Sequence, residues 1–274
     1  MTLPDVQSEP DVRGIAIDEV GISGVRYPVS VFDGEHGKQD TTATMALSVS
    51  LPPEQKGSHL SRFVEILDEH AGELTPRTIP VVLRAIQQRL DSRVARLHVA
   101  FPYFLRRYAP VSRASALVDY QCGITGALVG DKLSLQLEAR VPVSSVCPCS
   151  KAISDYGAHN QRGYVTIKVS PALDQDGQAA AVWLEDLIEV AEASASSPIY
   201  PLLKRADERQ VTMLGYDHPV FVEDMVRSAT DHLRGDPRIE AFSIEAVNDE
   251  SIHNHGAFAR VSWPPSSNEI DGPW

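Results

Sequence analysis

Apolar residues alternate with polar ones at Ala43, Met45, Leu47, Val49 and Leu51, the period of a strand with one buried face. Pro52 and Pro53 end that run. Leu60, Phe63, Val64 and Leu67 then recur at helical spacing and predict an amphipathic helix over about 58–71. A second helix is expected over about 77–92, with Arg84, Gln87, Gln88 and Arg89 on its polar face. Strands follow near 94–105, 115–127 and 132–142, the last with Leu133, Leu135, Leu137, Ala139 and Val141 on one face.

The order then recurs. Val165, Ile167 and Val169 mark a strand, and Leu184, Leu187, Ile188 and Ala191 a helix. Val222, Met225, Val226, Ala229 and Leu233 mark a further helix, for which Asp217 is the expected cap. Strands near 239–247 and 256–263 close the pattern. Strands, two helices and strands, twice over, predict an α+β fold of two modules, 21–143 and 144–264, each an antiparallel sheet with helices on one face. Residues 1–20 read as a weakly structured, flexible arm and 265–274 as a Pro/Ser-rich tail.

Composition sets the class. A chain of 274 residues, 43% hydrophobic, can bury one large core or two smaller ones. The absence of a signal-like start or a long apolar run argues against secretion and a membrane span. Three cysteines are too few for a disulfide framework, which points to a reducing, cytoplasmic setting with free thiols. A net charge of −12 disfavours nucleic acid as a partner, but a small anion needs only a local basic cluster.

The stretch "VCPCSKAISDYGAHNQRG" carries the densest candidate chemistry. Cys147 and Cys149 flank a proline just past a strand end, where a loop can present side chains, and Lys151 beside them favours a thiolate. A Cys147–Cys149 disulfide would be strained. His159, Asn160, Gln161 and Arg162 form a polar cluster farther on. "ESIHNHGA" adds Glu250, His253 and His255, and "LLKRADERQVT" adds Lys204, Arg205, Asp207, Glu208 and Arg209. The second of these also reads as an ordinary solvated turn. A thiolate, imidazoles and carboxylates together suit a divalent ion with open positions, and no second Cys pair is present to make a structural zinc clip. "LPPEQKGSHLSRF" places Lys56, His59 and Arg62 at a strand-to-helix junction, either a start capped by Ser58 or an anion site suited to phosphate.

"LPPEQKGSHLSRF", "CPCSK", "YGAHNQRG", "LLKRADE", "FVEDMVR" and "ESIHNH" occur in one register from about Leu51 to the last strand. In these blocks the chain resembles the prokaryotic type IB GTP cyclohydrolases. The resemblance implies a tunnelling fold of two tandem modules, assembly into a homotetramer with interfacial sites, and conversion of GTP and water to 7,8-dihydroneopterin triphosphate and formate on the way to tetrahydrofolate. It implies one divalent ion per site (Zn²⁺, Mn²⁺ or Fe²⁺) held by Cys147, His159 and Glu208, with Glu250 and His253 lining the ion or binding it. Cys147, His159 and His253 are the expected catalytic residues. Glu223 is the expected anchor for guanine, and Lys56, His59, Arg62, Lys151, Arg162, Lys204 and Arg205 the expected substrate contacts. Ala206 stands where many members of that family carry proline, a change in a turn that leaves the chemistry untouched. Two rivals stand beside this reading: a nitrile reductase of the same fold with a nucleophilic cysteine, and a non-catalytic metal-binding protein.

Overall fold

A computed structural model describes residues 6–34, 37–70 and 72–264. The described chain divides into two compact units that do not follow a single cut at residue 143. The first holds the residues up to Pro102, Gly123–Gln136 and Leu173–Ala179; the second holds Tyr103–Cys122, Leu137–Ala172 and the residues from Ala180 on.

The first unit opens with strand β1 (Ile17–Asp33), which pairs antiparallel with β2 (Gly37–Leu51). Helix α1 (Ser61–His70), the short strand β3 (Glu73–Leu74) and helix α2 (Ile79–Leu90) follow. The unit also takes one part of each of three long strands, β4 (Val94–Tyr108), β5 (Ser115–Val129) and β6 (Lys132–Val146), up to Pro102 on β4, from Gly123 on β5 and up to Gln136 on β6. The alternation on β2 buries Ala43, Met45, Leu47, Val49 and Leu51, and the apolar stripes of α1 and α2 bury Phe63, Ile66, Leu67, Val82, Leu83 and Ile86. Apart from Ala43, each such side chain contributes about 1.5–3 kcal/mol of transfer free energy.

β1 departs from the expectation for residues 1–20. Its pairing with β2 begins at Ile17, and Pro10 bridges to Gln55. Residues 1–5 and the tail 265–274 lie outside the described residues. β1 escaped the period-2 pattern because its register slips twice, between Ile17 and Val20 and between Ile22 and Val25. Gly24 adopts a φ of +71° in the second slip, where a side chain would be strained.

The second unit carries the remaining parts of β4, β5 and β6, then helix α3 (Pro148–Ile153), strand β7 (Asn160–Pro171) and helix α4 (Leu184–Ser194). The short strand β8 (Ser197–Pro198), helices α5 (Arg205–Asp217) and α6 (Val222–Leu233), and strands β9 (Ile239–Asp249) and β10 (Gly256–Trp263) complete it. Strands β6, β7, β9 and β10 pair antiparallel in that order. Val165, Ile167, Val169, Ile244 and Ala246 face Leu187, Ile188, Met225, Val226 and Ala229 of α4 and α6 in the buried layer.

Two local readings are corrected here. "LLKRADERQVT" is the start of helix α5 and not a solvated turn: the fully buried carboxylate of Asp207 accepts from Lys204 N–H at 2.8 Å and, in the 111–112 turn, from Val111 N–H at 2.8 Å and Ser112 N–H at 2.7 Å. Asp217 ends α5 and caps nothing; Phe221 is the N-cap of α6, with its N–H bound by Asp224 at 3.1 Å.

Candidate active site

The site grows from the end of β6. Cys147 leaves the strand with extended dihedrals and becomes the N-cap of α3, so it sits at a helix start and not on a free loop. Pro148 suits the first helical position because its missing N–H would have had no partner there. The Cys147 sulfur accepts from Ser150 N–H at 3.5 Å, which aims the half-buried thiol back across its own turn. Cys147 N–H donates to the His159 carbonyl at 3.2 Å, and His159 N–H donates to Ser150 Oγ at 3.2 Å. The twelve-residue excursion between thiol and imidazole therefore closes on itself. Ser251 Oγ lies 3.3 Å from His159 Nδ1.

Cys147, Gln161, Glu223, Asn248 and Glu250 line one cleft of about 410 Å³, with Val220, Phe221 and Phe258 among its walls. That size lies within the range of small-molecule pockets. Gln161 Nε2 donates to Glu250 Oε1 at 3.3 Å. Glu223, in the first turn of α6, is exposed at the cleft, so it has no buried partner to give up before meeting a ligand.

Other predicted residues stand elsewhere. Glu208 is exposed beside the buried Asp207 in the first turn of α5, outside the cleft lining. His253 and His255 stack with their rings 5.0 Å apart in the exposed turn after Glu250. Arg162, Lys204, Arg205 and Arg209 are exposed. Lys151 is engaged by α5: its ammonium donates to the Tyr216 carbonyl at the end of that helix and lies 4.2 Å from the Tyr216 ring centre. In the first unit, Lys56 pairs with Glu9, and the Arg62 guanidinium donates to the Arg89 carbonyl at 3.0 Å. His59 and Arg62 line a cleft there with Glu9, Glu54 and Asp91, a mixed-charge setting. α1 begins at Ser61, so Ser58 is not its cap.

All three cysteines are free, and burial pushes the Cys122 thiol far above its ordinary range, which removes it as a nucleophile. The sulfur, nitrogen and oxygen donors around Cys147 suit a borderline divalent ion. Among the described residues, however, no three His, Cys, Asp or Glu side chains converge tightly enough to hold one. The expected ligand set of Cys147, His159 and Glu208 is therefore not gathered into such a group among the described residues.

A family model described as type I GTP cyclohydrolase folE2 matches residues 3–259. The chain belongs to that family. GTP cyclohydrolase FolE2 of Nitrosococcus oceani is 47% identical over 259 residues, covering 94% of each chain. That of Magnetococcus marinus is 46% identical over 261 residues, covering 95% of this chain and 96% of the relative. The family name FolE2 replaces the type IB label expected from the motifs. Among solved structures, a mutant urate oxidase from Bacillus sp. TB-90 superposes with a TM-score of 0.54 at 10% identity, covering 90% of this chain and 99% of that one. Uricase from Arthrobacter globiformis gives 0.51 at 8% identity, covering 93% and 96%. At such identities the likeness concerns the fold alone, and that fold is the tunnelling fold.

Sequence reasoning did not single out Ser145, Asn248 or Ser251. For the first two a signal existed: each is a polar residue at the core phase of an apolar alternation, after Val141 and Val143 on β6 and after Ile244 and Ala246 on β9.

Proposed function

We propose that this FolE2-family chain converts GTP and water to 7,8-dihydroneopterin triphosphate and formate, supplying the pterin for tetrahydrofolate. The observation that carries the reading is the shared cleft of Cys147, Glu223 and Glu250, with His159 fastened to Cys147 through the backbone. Glu223 accepts the guanine N1–H and exocyclic amine, two donors that match the two oxygens of a carboxylate. That pairing turns the imidazole ring of the base toward the Cys147 end.

Cys147 and His159 hold one divalent ion (Zn²⁺, Mn²⁺ or Fe²⁺), with Glu208, Glu250 and His253 as the further candidates to close its shell. When bound, such an ion supplies a water of lowered pKa for addition at C8 of guanine. His159, in contact with Ser251 at Nδ1, has Nε2 as its candidate ligand atom, and Glu250 or His253 can carry protons as the ring opens and formate leaves. Arg162, Lys204 and Arg205 give the triphosphate a local positive field. Lys56, His59 and Arg62 add to that field in the assembled enzyme, and Lys151 contributes by holding the end of α5.

The active species is a homotetramer with the site at a subunit boundary. Support comes from apolar side chains exposed on the elements that carry site residues: Ile153 at 85%, Ile252 at 65% and a fully exposed Tyr156. A second copy covering them would complete the ion's shell. Localisation in the cytoplasm follows from the reading of free thiols; no helix among the described residues is long and apolar enough to cross a membrane. The test is incubation with GTP and each of the three metals, following pterin fluorescence and formate, together with sedimentation at assay concentration. Formate in step with pterin from a tetramer is the expected result; metal binding without formate release contradicts the reading, and a fully active monomer contradicts the assembly.

A further inference from the structure

Three polar side chains occupy core positions at the same end of adjacent strands. Ser145, Gln161 and Asn248 are all buried, and the register sets Ser145 opposite Gln161 and Gly163 opposite Asn248. Asn248 Nδ2 lies 3.2 Å from Ser145 Oγ, which lies 3.0 Å from the Val220 carbonyl. The direction of this chain is forced. A carbonyl only accepts, so the Ser145 hydroxyl gives its one proton to Val220 and must accept from the Asn248 amide. Val220 N–H in turn donates to the Val146 carbonyl at 3.1 Å. Val220 is thus held at both backbone groups by the two residues that precede Cys147, and it leads directly into Phe221 and the first turn of α6.

The relay also needs room. A Cβ on Gly163 would stand 2.3 Å from Asn248 Oδ1, so the Asn248 side chain reaches across β7 only because residue 163 has none. Asn248 Oδ1 itself is buried with no hydrogen-bond partner. An apolar residue there would avoid the penalty of burying an unpaired carbonyl oxygen, so stability alone gives no reason for an asparagine.

We propose that Asn248, acting through Ser145, is a positioning residue for Glu223: the relay sets where the start of α6 stands over the cleft, and so how the Glu223 carboxylate meets the donor edge of a purine. This rests on Glu223 being the guanine anchor. Its specific consequence is discrimination. ITP lacks the exocyclic amine of GTP, so a correctly aimed carboxylate favours GTP, and a misaimed one loses that preference while the metal-binding end stays intact.

The test measures kcat/KM for GTP and ITP in the metal-loaded, assembled enzyme for wild type, Asn248→Ala, Ser145→Ala, Glu223→Gln and the Asn248→Ala/Glu223→Gln double variant. Each single substitution is expected to lower the GTP-over-ITP preference about tenfold, mainly through KM, and the double variant to lose no more than Glu223→Gln alone. Gly163→Ala is expected to behave like Asn248→Ala, and to add no further loss once Asn248 is alanine. Should Asn248→Ala not fold, Ser145→Ala carries the same comparison. If Glu223→Gln lowers the preference while folded Asn248→Ala and Ser145→Ala keep it, the relay is structural and the inference is wrong. If Glu223→Gln itself leaves the preference unchanged, the guanine-anchor reading fails and this inference falls with it.

Discussion

Cys147 donates its backbone N–H to the carbonyl of His159 at 3.2 Å, one step beyond the last β6–β7 pair, Val146 with Asn160. The candidate thiolate and imidazole thus leave neighbouring strands at the same level. Sheet register sets the level of their backbones, which is an exact way to hold a pair of candidate ligands. Within the intervening segment, Ser150 adds a contact to each of them.

Glu223→Gln is expected to lower kcat/KM for GTP by about tenfold to a hundredfold with metal content near that of the wild type, because the amide turns one acceptor into a donor facing the donors of guanine. Steady-state kinetics beside metal analysis check this. Unchanged kinetics would leave Glu223 as an ordinary acid at a helix start.

Asp207 predicts an acid dependence of stability. Burial alone would raise its pKa, but the Ser112 hydroxyl, Ser112 N–H, Lys204 N–H and Val111 N–H hold the carboxylate well below its usual range. A depressed folded pKa means the stabilisation is complete above the unfolded carboxylate value, about 3.9, and is lost as pH falls from there through the folded value. Asp207→Asn should therefore lower the melting temperature at neutral pH, with the gap from wild type closing as pH falls below about 4. A gap that stays constant with pH would contradict the clamp.

The part-buried network under α4 predicts a different loss. Arg107 donates to Glu192 and to the Tyr120 hydroxyl, both at 2.9 Å, and Tyr120 donates to Glu192 at 2.7 Å. Glu192→Ala leaves the Arg107 charge without its partner and should cost about 3 kcal/mol of unfolding free energy. Urea denaturation measures it; a change below about 1 kcal/mol, the range of exposed pairs, would show the pair to be effectively solvated.

Much of this architecture could be read from periodicity, because strands such as β2, β6 and β7 bury one face and α2, α4 and α6 one stripe. β1 could not, since two register slips break its alternation and most of its side chains are exposed. α5 hid behind its charges: among its residues only Asp207 and Gly215 are buried, so no apolar stripe marks it. At the candidate site, Cys147, His159 and Glu250 were legible as residue types, and Glu223 only through the family resemblance. The partner of Lys151 was not, because Tyr216 is 65 residues away in the chain. Ser145 and Asn248 show the reverse case, in which a polar residue at a core phase was visible and its meaning needed the neighbouring strands.

The central claim, that the Cys147 thiolate serves the ring-opening chemistry as a metal ligand, is tested most directly by formate release from GTP in purified Cys147→Ala, with Cys149→Ala beside it and circular dichroism to verify the fold. Cys149 is exposed and makes no bond to Cys147, so its loss should be mild. Folded Cys147→Ala is expected to release no formate and to bind less metal, because the proposed thiolate ligand would be lost. Turnover of GTP by the folded Cys147→Ala variant at near the wild-type rate would contradict the account.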